Sequence, residues 1–200
     1  ERRTLNLGGS VSYKPIKNMT LKSDVGLNND YQTDQRFWGL TTYYIKNVPQ
    51  TQNQGKPAIQ VQNRDRQTLR NTNTLNYDFK SLIPEDHGLS ALIGHEYMIT
   101  KGKLLTSTVH GFPESFTAQE AWKLSSQGEP FEVDNYYSED DKLLSFFGRV
   151  NYDYEGIWLL ELNGRYDGSS RFPASDRWAF FKSASAGYRI SEQDFFNPIK

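Results

Sequence analysis

Over much of this chain apolar and polar side chains alternate every second residue, a period that fits strands and does not fit helices. Between Ile157 and Asp167, one face carries Trp158, Leu160, Leu162, Gly164 and Tyr166. The opposite face carries Leu159, Glu161, Asn163, Arg165 and Asp167. From Trp158 to Tyr166 the strand spans roughly 27 Å, with an aromatic residue at each end. Allowing for strand tilt, that length approximates the apolar band of an outer-membrane barrel, whose two rims carry aromatic girdles.

The same alternation runs from Leu5 to Tyr13, Leu21 to Tyr31, Leu75 to Phe79, Leu89 to Tyr97, Leu144 to Tyr154 and Ala184 to Ile190. It predicts about seven strands, near residues 4–13, 19–31, 66–80, 88–100, 143–154, 157–167 and 177–190. A short helical turn fits Thr117–Leu124, inside a loop. The connections then fall into two kinds. Residues 14–18, 81–87 and 155–156 are short, as is the turn opening at Ser191-Glu192-Gln193-Asp194. Residues 32–65 and 101–142 are long, and 168–176 intermediate. In an up-and-down sheet successive connections lie at opposite ends, so all the short ones share one end. Short periplasmic turns with long extracellular loops are the habit of transmembrane β-barrels. The fold class read from the sequence is therefore all-β, an antiparallel up-and-down transmembrane barrel segment. The competing reading is a soluble β-rich carbohydrate-binding domain, a sandwich or lipocalin-like barrel, which also alternates.

Composition narrows the function classes. There are 200 residues, no cysteine and a net charge of −1. That leaves no basic field for nucleic acid and no disulfide, thiol nucleophile or cysteine-ligated metal. Mean hydropathy is −0.74 although 14% of residues are aromatic, a combination that separates the chain from disordered sequences. No stretch reaches the roughly 18 apolar residues of a membrane helix. The start, Glu1-Arg2-Arg3-Thr4, runs straight into a strand pattern, so no signal peptide is expected within these residues. The sequence holds no G-x-S-x-G and no P-loop, so no catalytic residue, cofactor or enzyme activity is expected.

The last third of the chain resembles one family. Leu143-Leu144-Ser145-Phe146-Phe147-Gly148-Arg149-Val150-Asn151-Tyr152 is similar to its LLSYFGRVNY stretch. Arg165-Tyr166-Asp167-Gly168-Ser169-Ser170-Arg171-Phe172 is similar to R-x-DGSS-[RK]-F. Asp176-Arg177-Trp178 and the run Ser183 to Ser191 resemble NRW…PSVSAGWRIS. In this order the motifs resemble the SusC/RagA family of TonB-linked outer-membrane proteins. Lys182 stands where the family usually has Pro, and Tyr188 where it usually has Trp. An interfacial lysine can snorkel to the headgroups.

The resemblance implies a multi-pass barrel of about 22 strands with an internal plug. It also implies import of oligosaccharide or peptide, a SusD-like surface lipoprotein as lid, and energy relayed by TonB. Residues 1–200 are then expected to be one part of the barrel domain, with the plug, the TonB box and the C-terminal strands lying outside them. In this setting Trp158, Leu160, Leu162, Tyr166 and Tyr188 are expected to face outer-membrane lipid. The family motif Asp167, Gly168, Ser169, Ser170, Arg171 and Phe172, with Arg177 and Trp178, reads as a strand exit, where Arg171 pairs with an acidic neighbour. Trp122, Phe131, Tyr136 and Tyr137, on a long loop, are candidate ligand or partner contacts. Arg149, Asn151, Glu161, Asn163, Arg165 and Arg189 are expected to face the lumen. Pro49 to Gln62 reads as solvated loop. Glu139, Asp140 and Asp141 with Asp134 have oxygen ligands for calcium but no EF-hand spacing, and read as a solvated acidic loop. His87, His95 and His110 lack metal-ligand spacing.

Overall fold

A computed structural model describes residues 1–47 and 55–192. Eight strands form one antiparallel sheet: β1 (Arg2–Tyr13), β2 (Met19–Trp38), β3 (Ala58–Asp78), β4 (His87–His110), β5 (Glu129–Tyr137), β6 (Asp141–Tyr154), β7 (Trp158–Ser169) and β8 (Trp178–Tyr188). Their order is β1-β2-β3-β4-β6-β7-β8, with β5 paired to β4 off that path. Neighbours in sequence are neighbours in space, as an up-and-down sheet requires. Among the described residues two short helices, α1 (Tyr43–Asn47) and α2 (Ala118–Lys123), lie in the long connections.

The expected strands are all present, and three run further than expected. β2 continues to Trp38, β3 begins at Ala58 and β4 continues to His110. Of the stretch read as solvated loop, Ala58 to Gln62 is strand, with Ala58 and Ile59 buried; residues 49–54 lie outside those described. Gln193 and Asp194 of the final turn also lie outside them. The eighth strand, β5, falls inside the expected 101–142 loop. It pairs with β4 from Lys103↔Tyr137 to His110↔Glu129. β6 pairs with the lower part of the same strand, from His87↔Tyr154 to Thr100↔Asp141. Residues 138–140 separate β5 from β6, whereas only Lys101 and Gly102 separate the partner positions on β4. One extra residue is the signature of a bulge. β5 and β6 are thus two stretches of one returning strand.

The chain forms two compact units. The first comprises residues Asn6–Leu27, Thr68–Thr100 and Asp140–Lys200. Its strands pair without a slip from β4 through β8. The β6–β7 turn is tight because Glu155 and Gly156 both adopt positive φ, 53° and 66°, and the Ile157 N–H closes onto the Tyr154 carbonyl. Two successive positive-φ residues make the hairpin turn whose twist suits antiparallel strands. Among its described residues this unit buries no apolar core. Its apolar face is the open one: Trp158 is 58% exposed, Leu162 47% and Tyr166 43%.

The second unit comprises Glu1–Leu5, Asn28–Gln67 and Lys101–Glu139, and it does have a core. Ile59, Val109, Phe112 and Ala121 are buried together, and Phe37, Phe116 and Trp122 pack against them. Helix α2 starts with a reciprocal cap: the Glu120 N–H donates to the Thr117 hydroxyl, and the Thr117 N–H donates to the Glu120 carboxylate.

Candidate functional site

Three sets of residues could carry function: the polar face of β4, β6 and β7, the exit of β7, and the aromatics of the second unit.

On the polar face, odd-numbered residues of β6 and β7 meet even-numbered residues of β4. Arg165 is the centre. Its Nη2 donates to Glu96 Oε1 at 3.2 Å and to Ser145 Oγ at 3.0 Å, and its Nε donates to Asp167 Oδ1 at 2.8 Å. The guanidinium also lies 5.6 Å from the Phe147 ring centroid. The other oxygen of Glu96 accepts from the Thr72 hydroxyl on β3 at 2.9 Å. A second relay lies nearer the short turn: Arg149 donates to Asn163 at 2.8 Å, and Asn163 donates to Glu161 at 2.7 Å. Ser145 is fully buried beneath these groups. The charges compensate one another, so this face is polar and hydrogen-bonded without a strong net field. Of the residues expected in the lumen, Arg149, Asn163, Glu161 and Arg165 join these two relays, and Asn151 instead donates to Ser90. Arg189 falls just past the end of β8, where its N–H donates to the Ile157 carbonyl.

At the exit of β7, Asp167, Gly168 and Ser169 still belong to the ladder, facing Ser145, Leu144 and Leu143. Ser170 then carries on without being strand: its N–H donates to the Lys142 carbonyl, and its hydroxyl accepts from the Lys142 N–H at 2.8 Å and donates to the Asp140 carbonyl. Arg171 forks onto the Asp141 carboxylate, Nε to Oδ1 2.9 Å, a geometry that raises the guanidinium pKa further. Phe172 is exposed. The Trp178 ring lies flat over Gly168, where a Cβ would come within 2.7 Å of it, and stacks on Tyr166 at 4.8 Å. At the other end of the strand Trp158 meets Tyr188 at 4.5 Å. Leu160 and Leu162 lie between these two ring pairs, on the same face.

In the second unit the four candidate contact residues divide. Trp122 packs against the core and its indole N–H donates to the Arg36 carbonyl. Phe131 is the extra residue at the bulge in the β4–β5 pairing, and its ring stacks on the buried His110 at 4.1 Å. Tyr136 and Tyr137 are 59% and 67% exposed. His110, Tyr44 and Trp38 form a stack that sequence reasoning did not single out: the Tyr44 hydroxyl is 3.0 Å from His110 Nε2, and its ring lies 4.2 Å from Trp38. Burial, with Glu132 nearby, raises the Tyr44 phenol pKa. Each histidine has its own surroundings, His87 against Tyr152 and His95 against Asn73. Among the described residues no three of His, Asp or Glu gather as a metal-binding group.

A family model described as TonB dependent receptor-like, beta-barrel, matches residues 1–196. The chain belongs to that family. Its members are outer-membrane proteins. TonB-dependent receptor P26 of Formosa agariphila is 28% identical over 185 residues, covering 92% of this chain and 18% of that protein. TonB-dependent receptor SusC of Bacteroides thetaiotaomicron is 32% identical over 94 residues, covering 45% of this chain and 9% of that protein. Among solved structures, the RagAB peptide transporter superposes with a TM-score of 0.73 at 26% identity, over 98% of this chain and 20% of that one. The chain thus spans at most about a fifth of the length of these proteins. The matches favour the barrel over the soluble β-domain.

Proposed function

We propose that this chain is a wall segment of a TonB-dependent importer of the SusC/RagA type, taking up oligosaccharide or peptide across the outer membrane. The observation that carries the reading is the reversed partition of β6–β8. The apolar face lies open between two aromatic pairs, and the polar face is bonded within itself. A water-soluble sheet would hide the first; a sheet between lipid and a hydrated lumen leaves it open and turns the polar face to the lumen. Trp158, Leu160, Leu162, Tyr166 and Tyr188 face lipid in this reading, and Arg149, Asn163 and Arg165 line the lumen.

The wall does no chemistry of its own. It offers polar, charge-compensated groups to a passing solute and a rigid exit at Arg171–Asp141. Tyr136 and Tyr137, the exposed pair of β5, are the contacts offered to substrate or to a SusD-like surface lipoprotein; Trp122 packs against the core, and Phe131, partly exposed, is held by its stack on His110. TonB acts through a plug region of the whole protein.

Uptake in the native host tests this. Deleting the gene should abolish uptake of one class of labelled solute, oligosaccharide or peptide, and of no small diffusible sugar. Full-length protein carrying Tyr136→Ala and Tyr137→Ala should insert normally yet import that class more slowly or lose the lipoprotein on purification. Normal uptake of both classes in the deletion strain would refute the proposal.

A further inference from the structure

We propose that the free edge of β5 captures a peptide substrate as an added antiparallel strand, and that Glu132 and Asp134 select a basic one. This capture rests on the importer reading above and chooses between its two substrate classes. β5 pairs with β4 along one edge and with no strand along the other. The strands that follow leave it so, since β7 is paired with β6 over its whole length and β8 with β7. The Ser138 N–H donates to the Gly102 carbonyl at 2.9 Å, which sets the phase of the ladder. Tyr136, Asp134 and Glu132 therefore turn their backbone groups to β4, and Tyr137, Asn135 and Val133 turn theirs away. These three outward residues have no backbone partner among the described residues, and all nine residues of the strand are exposed.

An open row of N–H and C=O groups is a template for another polypeptide backbone. A peptide carries the matching groups at the matching repeat of about 3.4 Å, and an oligosaccharide does not. Charge then decides which peptide. Glu129, Glu132, Asp134, Glu139, Asp140 and Asp141 lie between Leu124 and Asp141, a stretch with no Lys, Arg or His. Glu132 and Asp134 face Thr108 and Thr106 on β4, and neither carboxylate has an ion pair or hydrogen bond among the described residues. Like charges directly opposite disfavour pairing, so the edge repels a second copy of itself and any acidic strand. A strand with Lys or Arg at alternate positions sets its cations across from Glu132 and Asp134, with Cβ atoms about 5 Å apart. Its intervening side chains lie beside Val133 and Tyr137, 69% and 67% exposed. Three outward residues offer few hydrogen bonds, so the added strand is held loosely enough to be passed on.

Fluorescence anisotropy of a labelled peptide of four Lys-Val repeats, with purified full-length protein in detergent, tests the edge. With lysines across from Glu132 and Asp134, the valines are the residues whose N–H groups reach β5. N-methylation of the valines should lower the affinity by about tenfold or more, whereas N-methylation of the lysines should leave it. Asn135→Pro removes one outward N–H and no bond to β4, and should weaken binding about fivefold. Glu132→Gln combined with Asp134→Asn should weaken it about fivefold through the loss of two cross-strand ion pairs. Equal binding of the two methylated peptides, or unchanged binding by both protein variants, overturns the proposal. So does an Asn135→Pro protein that keeps the peptide and loses its surface lipoprotein, because the edge then seats the lid. Uptake in the native host separates the two levels. Peptide uptake should be lost on deleting the gene and restored by the unaltered protein but not by Asn135→Pro. A deletion strain that still imports both labelled classes removes the importer itself; one that loses oligosaccharide uptake and keeps peptide uptake removes the peptide edge alone.

Discussion

Arg165 on β7 reaches past β6 to Glu96 on β4, with Nη2 3.2 Å from Oε1, and the hydroxyl of Ser145 accepts from the same nitrogen at 3.0 Å. Three strands are tied at one level by a single guanidinium, and Asp167 holds its other edge. Removing the cation leaves Glu96 and Asp167 partly buried without their shared partner. Arg165→Ala in the full-length barrel is expected to cost about 1–3 kcal/mol. Combined with Glu96→Gln, the loss should be smaller than the sum of the single losses by about 0.5 kcal/mol or more. Urea unfolding in lipid vesicles measures both, and strict additivity would mean the pair does not act as a unit.

Gly168 and Gly164 differ in what they can accept. A Cβ at Gly168 would come within 2.7 Å of the Trp178 ring, but one at Gly164 would meet Phe180 at 3.4 Å. Gly168→Ala therefore has to displace a ring that also stacks on Tyr166, and should cost about 1–3 kcal/mol. Gly164→Ala should cost clearly less. Stability of the two variants, read alongside tryptophan emission, checks the order; the emission should shift for Gly168→Ala and stay for Gly164→Ala.

Leu160 and Glu161 are adjacent in sequence and lie on opposite faces of β7. If even positions face lipid, Leu160→Arg should destabilise the intact barrel by roughly 2–4 kcal/mol at mid-depth. Glu161→Gln keeps an acceptor for Asn163 and should cost far less. Reversible folding measurements that give equal costs would contradict the face assignment.

The start of α2 should depend on pH. The Thr117 N–H and hydroxyl both bond the Glu120 carboxylate and hold its pKa below the ordinary 4.5. A depressed folded-state pKa means the contribution is complete above about that ordinary value and disappears as pH falls through the folded one. Protection against hydrogen exchange over residues 117–124, taken relative to the intrinsic exchange rate at each pH, should therefore fall on acidification in the unaltered protein. Glu120→Gln should show a flatter response over the same range.

Strands whose two faces differ were legible in the sequence. β7 and β6 announce themselves because every second residue is apolar, and the tight turn between them is marked by Gly156. The acidic partner of Arg171 was foreseen as a type, though not as Asp141. The extension of β3 was not foreseen, because Gln62–Arg66 carries polar side chains on both faces and the period vanishes; that of β2 could be read only from the aromatics Phe37 and Trp38, beyond the polar run Gln32–Arg36. β5 was hidden for a related reason. Pro130, the bulged Phe131 and the adjacent Tyr136-Tyr137 break its alternation, and it rejoins the sheet only as the upper half of the strand that β6 completes. The reach of Arg165 to Glu96 follows from β6 lying between β4 and β7, which no local pattern encodes. Within the second unit, Phe112 and Ile59 offered an apolar signal, but nothing local marked them as the core around which the loop aromatics fold.

The central claim is that the even-numbered face of β7 meets lipid and the odd-numbered face meets water. Nitroxide labels placed one at a time at positions 158 to 166 of the full-length protein in bilayers measure this directly, through collision rates with oxygen and with a polar quencher. The account predicts oxygen maxima at 158, 160, 162, 164 and 166, with polar-quencher maxima at the odd positions between them. Even positions shielded from both reagents, in a protein that leaves the bilayer for water, would contradict it.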